Sequence, residues 1–154
     1  EVLVDLYAGI GYYTLPALVH GGASLVHACE WNHEAIEALR WGLESNGVDR
    51  RCVVHEGDSR VTSQSLEETA DRVFLGLLPS SEDGLEAALR VLKPDGGTLH
   101  IHGLAPSSDH FSWAEGVVAS ASAIRPYSSV RTGLVRVKSY APHWDHVVLD
   151  ISLA

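Results

Sequence analysis

A glycine-containing turn directly follows an apolar run near the start of this chain, and this feature constrains the fold most strongly. The run, Val2 to Leu6, leads into the motif Asp5-Leu6-Tyr7-Ala8-Gly9-Ile10-Gly11-Tyr12. A strand, a glycine turn and the start of a helix, in this order, are typical of the first unit of a parallel α/β sheet. The turn lies at the carboxyl end of its strand, where glycines let the backbone approach a ligand that a side chain would block.

Two acidic signals follow at the spacing of successive strands. Glu30 ends the apolar run Leu25 to Cys29, and Gly57-Asp58 follows a third run, Cys52 to His55. Because the carboxyl ends of parallel strands meet at one edge of a sheet, we expect the glycine turn, Glu30 and Asp58 to lie around one pocket. A Gly-x-Gly motif alone is weak evidence, and the two acids strengthen it.

Apolar periodicity predicts five strands that alternate with helices, followed by two strands with no helix between them. The predicted strands are 2–6, 24–30, 53–55, 72–78, 98–102, 130–140 and 146–153; the predicted helices are 14–20, 33–46, Ser80 or Ser81 to Leu92, and 111–124. Asn32 is expected to cap the second helix and Gly47 to end it. The turn Ala141 to Trp144 is too short for a parallel crossover, so the last two strands must pair antiparallel. The sequence therefore predicts an α/β fold, a doubly wound and mostly parallel sheet with a C-terminal antiparallel hairpin.

Length and composition are those of one domain. The chain has 154 residues, 45% of them hydrophobic, and its apolar runs are too short to cross a bilayer. It begins at a core strand, so we expect residues 1–154 to be a single domain excised from a longer protein, with no signal segment. Cys29 and Cys52 fall within predicted strands and lack the spacing of a metal or redox site. We therefore expect core thiols in a reducing compartment, the cytoplasm.

The charge balance argues against a broad basic face for nucleic acid. The net charge is −9, with 11 basic residues against 20 acidic ones. Phosphate attraction normally comes from clustered Lys and Arg. The candidates for a local basic patch are Arg125, Arg131, Arg136 and Lys138, although a solvated surface is the simpler interpretation.

The predicted topology resembles the class I S-adenosylmethionine-dependent transferases, the Rossmann-like methyltransferase fold, rather than the nicotinamide dehydrogenases. Asp5 precedes the first glycine by four residues, as in those transferases, and Thr14 stands where a dinucleotide fingerprint has its third glycine. The resemblance implies that Glu30 accepts hydrogen bonds from both ribose hydroxyls of S-adenosylmethionine and that Asp58 binds the adenine amino group. The other cofactor-binding candidates are Asp5, Tyr7, Gly9, Gly11, Trp31 against the adenine face, Ser59 beside Asp58, and Leu77.

The end of the fourth strand bears on the chemistry. In methyltransferases that modify exocyclic amines, an Asn or Asp followed by Pro-Pro and an aromatic residue commonly stands here. This chain has Gly76-Leu77-Leu78-Pro79-Ser80-Ser81, which offers no carboxylate, amide or aromatic ring to such an amine. Ser80 and Ser81 are interpreted as helix caps in preference to substrate contacts.

Several longer segments are similar to the tRNA wybutosine-synthesising protein 2 family. They are Asp5 to Pro16, His27 to Asn32, Leu75 to Ser81 and Lys138 to His146. The resemblance implies transfer of the 3-amino-3-carboxypropyl group of S-adenosylmethionine to a wyosine precursor next to the anticodon of phenylalanine tRNA. It also implies that segments upstream of the first strand, absent from this chain, supply most of the tRNA contacts. No membrane partner and no metal are expected.

Two other functions remain open: a tRNA guanine N1-methyltransferase and a non-catalytic cofactor-binding scaffold. The substrate-binding candidates are Pro79, Ser80 and His143, and no motif fixes a catalytic residue. His100 and His102 share one face of a strand, a spacing compatible with metal, but no third ligand is evident and packing is the favoured interpretation.

Overall fold

The computed structural model describes all residues 1–154, which form seven strands and five α-helices. The strands are β1 (Val2–Asp5), β2 (Leu25–Glu30), β3 (Cys52–Glu56), β4 (Arg72–Leu75), β5 (Gly97–Pro106), β6 (Val130–Ala141) and β7 (Trp144–Leu153). The helices are α1 (Thr14–Val19), α2 (His33–Ser45), α3 (Ser59–Thr62), α4 (Leu85–Val91) and α5 (His110–Ile124). None of them has the length and apolarity needed to cross a lipid bilayer.

All seven strands belong to one sheet with the order β3-β2-β1-β4-β5-β7-β6. β1 to β5 are parallel, and β7 lies antiparallel between β5 and β6. The predicted doubly wound sheet and its C-terminal hairpin are thus confirmed. The chain leaves β1 toward β2 on one side and later returns to β4 on the other. Such a reversal leaves a crevice at the carboxyl ends of the strands, where ligands of α/β sheets bind.

Helices cover both faces of the sheet and divide the core in two. α4 and α5 pack on one face, over a cluster that includes Val73, Leu99 and Leu149. α1 and α2 pack on the other face, over β2 and β3, in a cluster that includes Leu39 and Val26. Burying aliphatic side chains stabilises such a fold by about 1.5–3 kcal/mol each, so the two clusters hold the strand ends in register.

The α2 helix begins where the sequence places it. The Asn32 side chain accepts hydrogen bonds from the backbone N–H groups of Glu34, at 3.0 Å, and Ala35, at 3.4 Å. Gly47 lies just past its end with φ at 65°, a conformation that glycine adopts without strain. The predicted cap and stop are therefore confirmed.

The prediction for the segment after β4 is wrong in two respects. β4 ends at Leu75 rather than Leu78, and α4 begins at Leu85, after a 3-10 turn, rather than at Ser80 or Ser81. Ser81 does not cap the helix, because its hydroxyl donates a buried hydrogen bond of 2.8 Å to the carbonyl of His102. This hydrogen bond holds the segment alongside β5. It takes the place of the local hydrogen bond to a helix N-terminus that was expected of Ser81.

β5 is longer than predicted. It continues to Pro106, because it pairs with β7 along its whole length, from Gly97 opposite Leu153 to Pro106 opposite Trp144. The hairpin between β6 and β7 turns at Pro142 and His143, and His143 has φ at 67°.

Candidate active site

A cleft of about 760 Å³ lies at the carboxyl edge of the parallel strands. Its walls come from the segments that follow β1, β2, β3 and β4. The lining residues are Leu6, Tyr7, Gly9, Cys29, Glu30, Trp31, Asn32, Ala35, Gly57, Asp58, Ser59, Arg60, Gly76, Leu77 and Asp83. The volume lies within the range of roughly 300–1,000 Å³ that is usual for small-molecule sites. Seven of the predicted cofactor-binding residues thus share one cavity: Tyr7, Gly9, Glu30, Trp31, Asp58, Ser59 and Leu77.

The two glycines of the turn after β1 have different roles. Both have positive φ, 55° at Gly9 and 101° at Gly11. A Cβ on Gly9 would meet nothing within 4 Å, and this residue lines the cleft. A Cβ on Gly11 would lie 2.8 Å from the Leu39 side chain and 2.9 Å from Leu15, so Gly11 serves the packing of the turn on α1 and α2. Of these two glycines, only Gly9 lines the cleft.

Asp5 lies beneath the cleft and not in its lining. Its carboxylate is fully buried and accepts hydrogen bonds from the Thr14 hydroxyl, at 2.9 Å, and from the N–H of Tyr7, at 3.3 Å. Burial raises the pKa of Asp5 to about 6, although these two hydrogen bonds favour the charged form. The residue therefore fixes the two ends of the glycine turn, and its place in the site is structural.

Glu30 ties the ends of β1 and β2 together at the cleft wall. One carboxylate oxygen accepts from the N–H of Gly9 at 2.8 Å. The other accepts from the N–H groups of Trp31, at 3.0 Å, and Asn32, at 2.8 Å. Each carboxylate oxygen has two lone pairs, so three of the four are used and one, on the oxygen that bonds Gly9, remains for a donor such as a ribose hydroxyl.

Asp58 ends the third strand segment and caps α3. Its side chain accepts from the N–H of Arg60 at 2.9 Å and pairs with the Arg60 guanidinium at 2.7 Å. Hydrogen bonds from Arg60 lower the pKa of Asp58 to about 2, so the carboxylate is ionised throughout the physiological range. Ser59, next to it, is buried at the base of the cleft.

Aromatic and aliphatic side chains form the rest of the wall. Trp31 is 75% exposed and borders the cavity, so one ring face is available to a planar ligand. Tyr7 packs on Gly84, where a Cβ would lie 2.5 Å from its hydroxyl. Leu77, which follows β4, is also exposed at the cleft.

The predicted substrate-binding residues lie outside this lining. Pro79 and Ser80 run along β5: the Pro79 carbonyl accepts from the N–H of Leu104 at 3.1 Å, and Ser80 forms an isolated bridge with Gly103. His143 lies at the tip of the β6–β7 hairpin, where its carbonyl accepts from the N–H of Ser107 at 2.9 Å. All three are nevertheless at the carboxyl side of the sheet, and their role in binding substrate stays a prediction.

Eight lining residues were not among the predicted cofactor-binding ones: Leu6, Cys29, Asn32, Ala35, Gly57, Arg60, Gly76 and Asp83. Asn32 and Gly57 neighbour predicted residues in the chain, so a search around Glu30 and Asp58 finds them. Arg60 enters the cavity only because the short helix α3 turns it back toward Asp58. Asp83 lies in the 3-10 turn before α4, which the sequence pattern does not reveal.

Two of the four basic residues near the end of the chain already have partners within the protein. Arg125 donates hydrogen bonds to carbonyls at the end of α4, and Arg136 pairs with Asp145 at 2.8 Å. Arg131 and Lys138 are exposed on β6. Cations already engaged within the protein attract phosphate less, so these four residues make a weak surface for nucleic acid.

His100 and His102 do not share a ligand. The His100 ring lies 2.6 Å from Asp150, whereas His102 lies 2.9 Å from the ring of His146. No group of three or more His, Cys, Asp or Glu side chains is arranged to hold a metal ion. Cys29 is buried in the core, and Cys52 is partly buried.

Residues 1–120 match the family model described as the TRM5/TYW2 methyltransferase domain. The chain is 48% identical to tRNA wybutosine-synthesizing protein 2/3/4 of Arabidopsis thaliana, over 98% of this chain and 16% of the relative. It is 43% identical to the tRNA wybutosine-synthesizing protein 2 homolog of Danio rerio, over 98% of this chain and 45% of the relative. The chain thus spans less than half the length of these curated relatives.

Solved structures agree with this similarity. M. jannaschii TYW2 in complex with AdoMet superposes with a TM-score of 0.91 at 28% identity, covering 99% of this chain and 68% of that one. P. horikoshii TYW2 in complex with MeSAdo gives a TM-score of 0.89 at 29% identity, covering 99% and 56%. Trm5b from Pyrococcus abyssi gives 0.83 at 28% identity, covering 100% and 44%.

Proposed function

This chain belongs to the TRM5/TYW2 methyltransferase domain family, and we propose that it is the S-adenosylmethionine-binding catalytic domain of a tRNA-modifying transferase. The cleft supports this proposal, because it joins a backbone surface at Gly9, a carboxylate at Glu30 and a second carboxylate at Asp58. An adenosine carries a ribose diol, an amino group and a planar base. These groups are complementary to Glu30, to Asp58 with Ser59, and to the exposed face of Trp31.

The reaction that we propose is transfer of the 3-amino-3-carboxypropyl group to a wyosine precursor next to the anticodon of phenylalanine tRNA. The observation that carries the choice of this group over the methyl is the end of β4. Gly76 and Leu77 line the cleft there and offer an amine no polar side chain. Relatives named tRNA wybutosine-synthesizing protein 2 support the same choice. So does the P. horikoshii TYW2 complex with MeSAdo, the thioether that remains when the aminocarboxypropyl arm has left the sulfonium.

The step is a displacement at the methylene carbon next to the sulfonium. A nucleophilic atom of the base forms a bond to that carbon, the carbon–sulfur bond breaks, and its electron pair stays on sulfur as neutral methylthioadenosine. The base loses one proton. All three carbons on the sulfur are activated by its positive charge, so the carbon that faces the base decides the product. The protein contributes orientation: Glu30 and Asp58 hold the nucleoside, and the apolar wall at Leu77 shapes the space beyond it.

The tRNA partner is proposed to be held mainly by parts of the protein outside these residues. The net charge of −9, together with the pairing of Arg136 and the capping role of Arg125, leaves little free cationic surface. Binding through phosphates requires several unpaired Lys or Arg side chains. We propose that the reaction takes place in the cytoplasm, the compartment expected from the placement of Cys29 and Cys52 within strands and their lack of metal or redox spacing.

Product analysis with phenylalanine tRNA bearing the wyosine precursor tests the proposal. The whole polypeptide that carries this domain is incubated with S-adenosylmethionine, and the nucleoside products are separated by liquid chromatography and mass spectrometry. Methylthioadenosine with an aminocarboxypropylated base is the expected result. S-adenosylhomocysteine with a methylated guanine would identify a guanine N1-methyltransferase instead. Cofactor binding without any product on any tRNA would identify a scaffold.

A further inference from the structure

A histidine pair lies at the carboxyl end of the sheet, next to the cleft but outside its lining. The Nδ1 atom of His102 on β5 is 2.9 Å from the Nε2 atom of His146 on β7. The Tyr13 hydroxyl lies 3.4 Å from the same Nδ1 atom. The Tyr13 ring fills the space beside Gly76, where a Cβ would be 2.8 Å from it. Because Gly76 lines the cleft, the thickness of one aromatic ring separates the pair from the cleft wall.

The surroundings keep both imidazoles neutral. Burial and the neighbouring His146 and His100 rings lower the pKa of His102 to about 4. Burial and Lys138 lower the pKa of His146. The titratable groups that face the pair from the adjoining elements are Tyr13 at the start of α1, His100 on β5, Lys138 on β6 and Asp150 on β7. Asp150 alone favours the charged form, and its carboxylate is bonded to His100.

The reaction needs a group that accepts a proton from the base, and the two carboxylates proposed to hold the nucleoside, Glu30 and Asp58, already have partners. Glu30 accepts three backbone N–H groups, and Asp58 is paired with Arg60. We propose that the His102–His146 pair accepts the proton that the tRNA base loses on alkylation. The inference rests on the proposed function for its substrate, a tRNA base, and goes beyond it in naming the proton acceptor.

The proton has a continuous path through the pair. When His102 Nδ1 donates to His146 Nε2, the Nε2 atom of His102 keeps a free lone pair and has no hydrogen-bond partner in the protein. The base proton adds to this lone pair as the carbon–sulfur bond breaks, the Nδ1 proton passes to His146, and His146 releases a proton to water. Charge balances, because the sulfonium loses its positive charge as the proton is released. His146 suits the last step because it is only partly buried.

The chain contains a matched control pair. His27 on β2 and His55 on β3 also lie with Nδ1 and Nε2 2.9 Å apart, and burial also lowers the pKa of each. Neither lines the cleft, and β1 separates their strands from β4 and β5. The two pairs therefore share their chemistry and differ in position.

Single-turnover transfer to tRNA, measured against pH in the whole polypeptide, tests the inference. His102→Asn and His146→Gln should each lower the rate of the chemical step about 10²- to 10⁴-fold, the usual contribution of a general base, with unchanged affinity for S-adenosylmethionine. The wild-type rate should fall as acid protonates the pair, and His102→Asn should lack this dependence. His55→Gln should retain the wild-type rate within about twofold. His146 is less buried than His102, so its variant covers the case in which His102→Asn does not fold.

Wild-type rates in both His102→Asn and His146→Gln would overturn the inference, as would an equal loss in His55→Gln. The proposed function fails separately. If the wild-type protein released S-adenosylhomocysteine, the aminocarboxypropyl proposal would be wrong. Methylation of a base N–H also releases a proton, so the ratios of the variant rates to the wild-type rate would still test the role of the pair. A wild-type protein that modifies no tRNA would refute both.

Discussion

The carboxylate of Glu30 allows the sharpest test of the cofactor site. Glu30→Ala removes the acceptor for the N–H groups of Gly9, Trp31 and Asn32, which lie 2.8, 3.0 and 2.8 Å from it. It also removes the group proposed to bind the ribose of S-adenosylmethionine. Hydrogen bonds to charged groups contribute about 1.5–3 kcal/mol, so we expect the dissociation constant for S-adenosylmethionine to rise about 10- to 150-fold.

Isothermal titration calorimetry with S-adenosylmethionine measures this effect, and circular dichroism shows that the variant is folded. Glu56→Ala is the matched control, because Glu56 lies directly opposite Glu30 in the register of β2 and β3. Its carboxylate faces His33 at 3.4 Å and does not line the cleft, so its loss should change the affinity less than about twofold. An unchanged affinity in folded Glu30→Ala would refute the role given to this carboxylate.

Four further predictions concern the 3-10 turn at Gly84, the buried carboxyl of Asp5, the cleft wall at Leu77 and the binding of tRNA. Gly84→Ala places a Cβ 2.5 Å from the Tyr7 hydroxyl and should lower both the melting temperature and cofactor affinity, whereas Gly116→Ala, which meets nothing within 4 Å, should not lower either. Burial raises the pKa of Asp5 from 3.8 to about 6, so the folded state binds the Asp5 proton more tightly than the unfolded state does. Protonated Asp5 therefore adds up to about 3 kcal/mol to the free energy of unfolding, and this stabilisation is lost as the pH rises from 4 to 6. Asp5→Asn should remove this pH dependence from the melting temperature. Leu77→Asn should abolish transfer without producing methylated tRNA, because one hydrogen bond of about 1 kcal/mol does not reorient the cofactor; a methylated product formed at the original rate would show that the wall selects the carbon. Residues 1–154 alone should bind tRNA with a dissociation constant no lower than about 10⁻⁶ M at moderate salt. Tighter binding in a filter assay would contradict the proposal that parts of the protein outside these residues hold the tRNA.

The sequence predicted the outline of the site because that outline depends on chain direction alone. Parallel strands bring their carboxyl ends to one edge, so the glycine turn, Glu30 and Asp58 had to meet there once the strands were recognised. The hairpin was predictable for a similar reason, since two residues between β6 and β7 leave room only for an antiparallel pairing.

Contacts between side chains from distant parts of the chain could not be predicted from local sequence patterns. Ser81 was expected to cap a helix, but it bonds to the carbonyl of His102 on another strand. Arg60 reaches the cleft through the geometry of α3, a helix too short for its periodicity to be recognised. The pairing of His102 with His146 depends on the register of β5 and β7, which no local pattern specifies.

The segment after β4 is fastened to the antiparallel half of the sheet. Leu104 donates to the carbonyl of Pro79, and Ser81 donates to the carbonyl of His102, so two bonds join the segment to β5. β5 is in turn bound to β7 along its whole length. A force applied at the hairpin tip is therefore transmitted through hydrogen-bonded strands to the wall that carries Leu77. A molecule that docks on the hairpin and a ligand that fills the cleft would therefore contact two ends of one hydrogen-bonded unit.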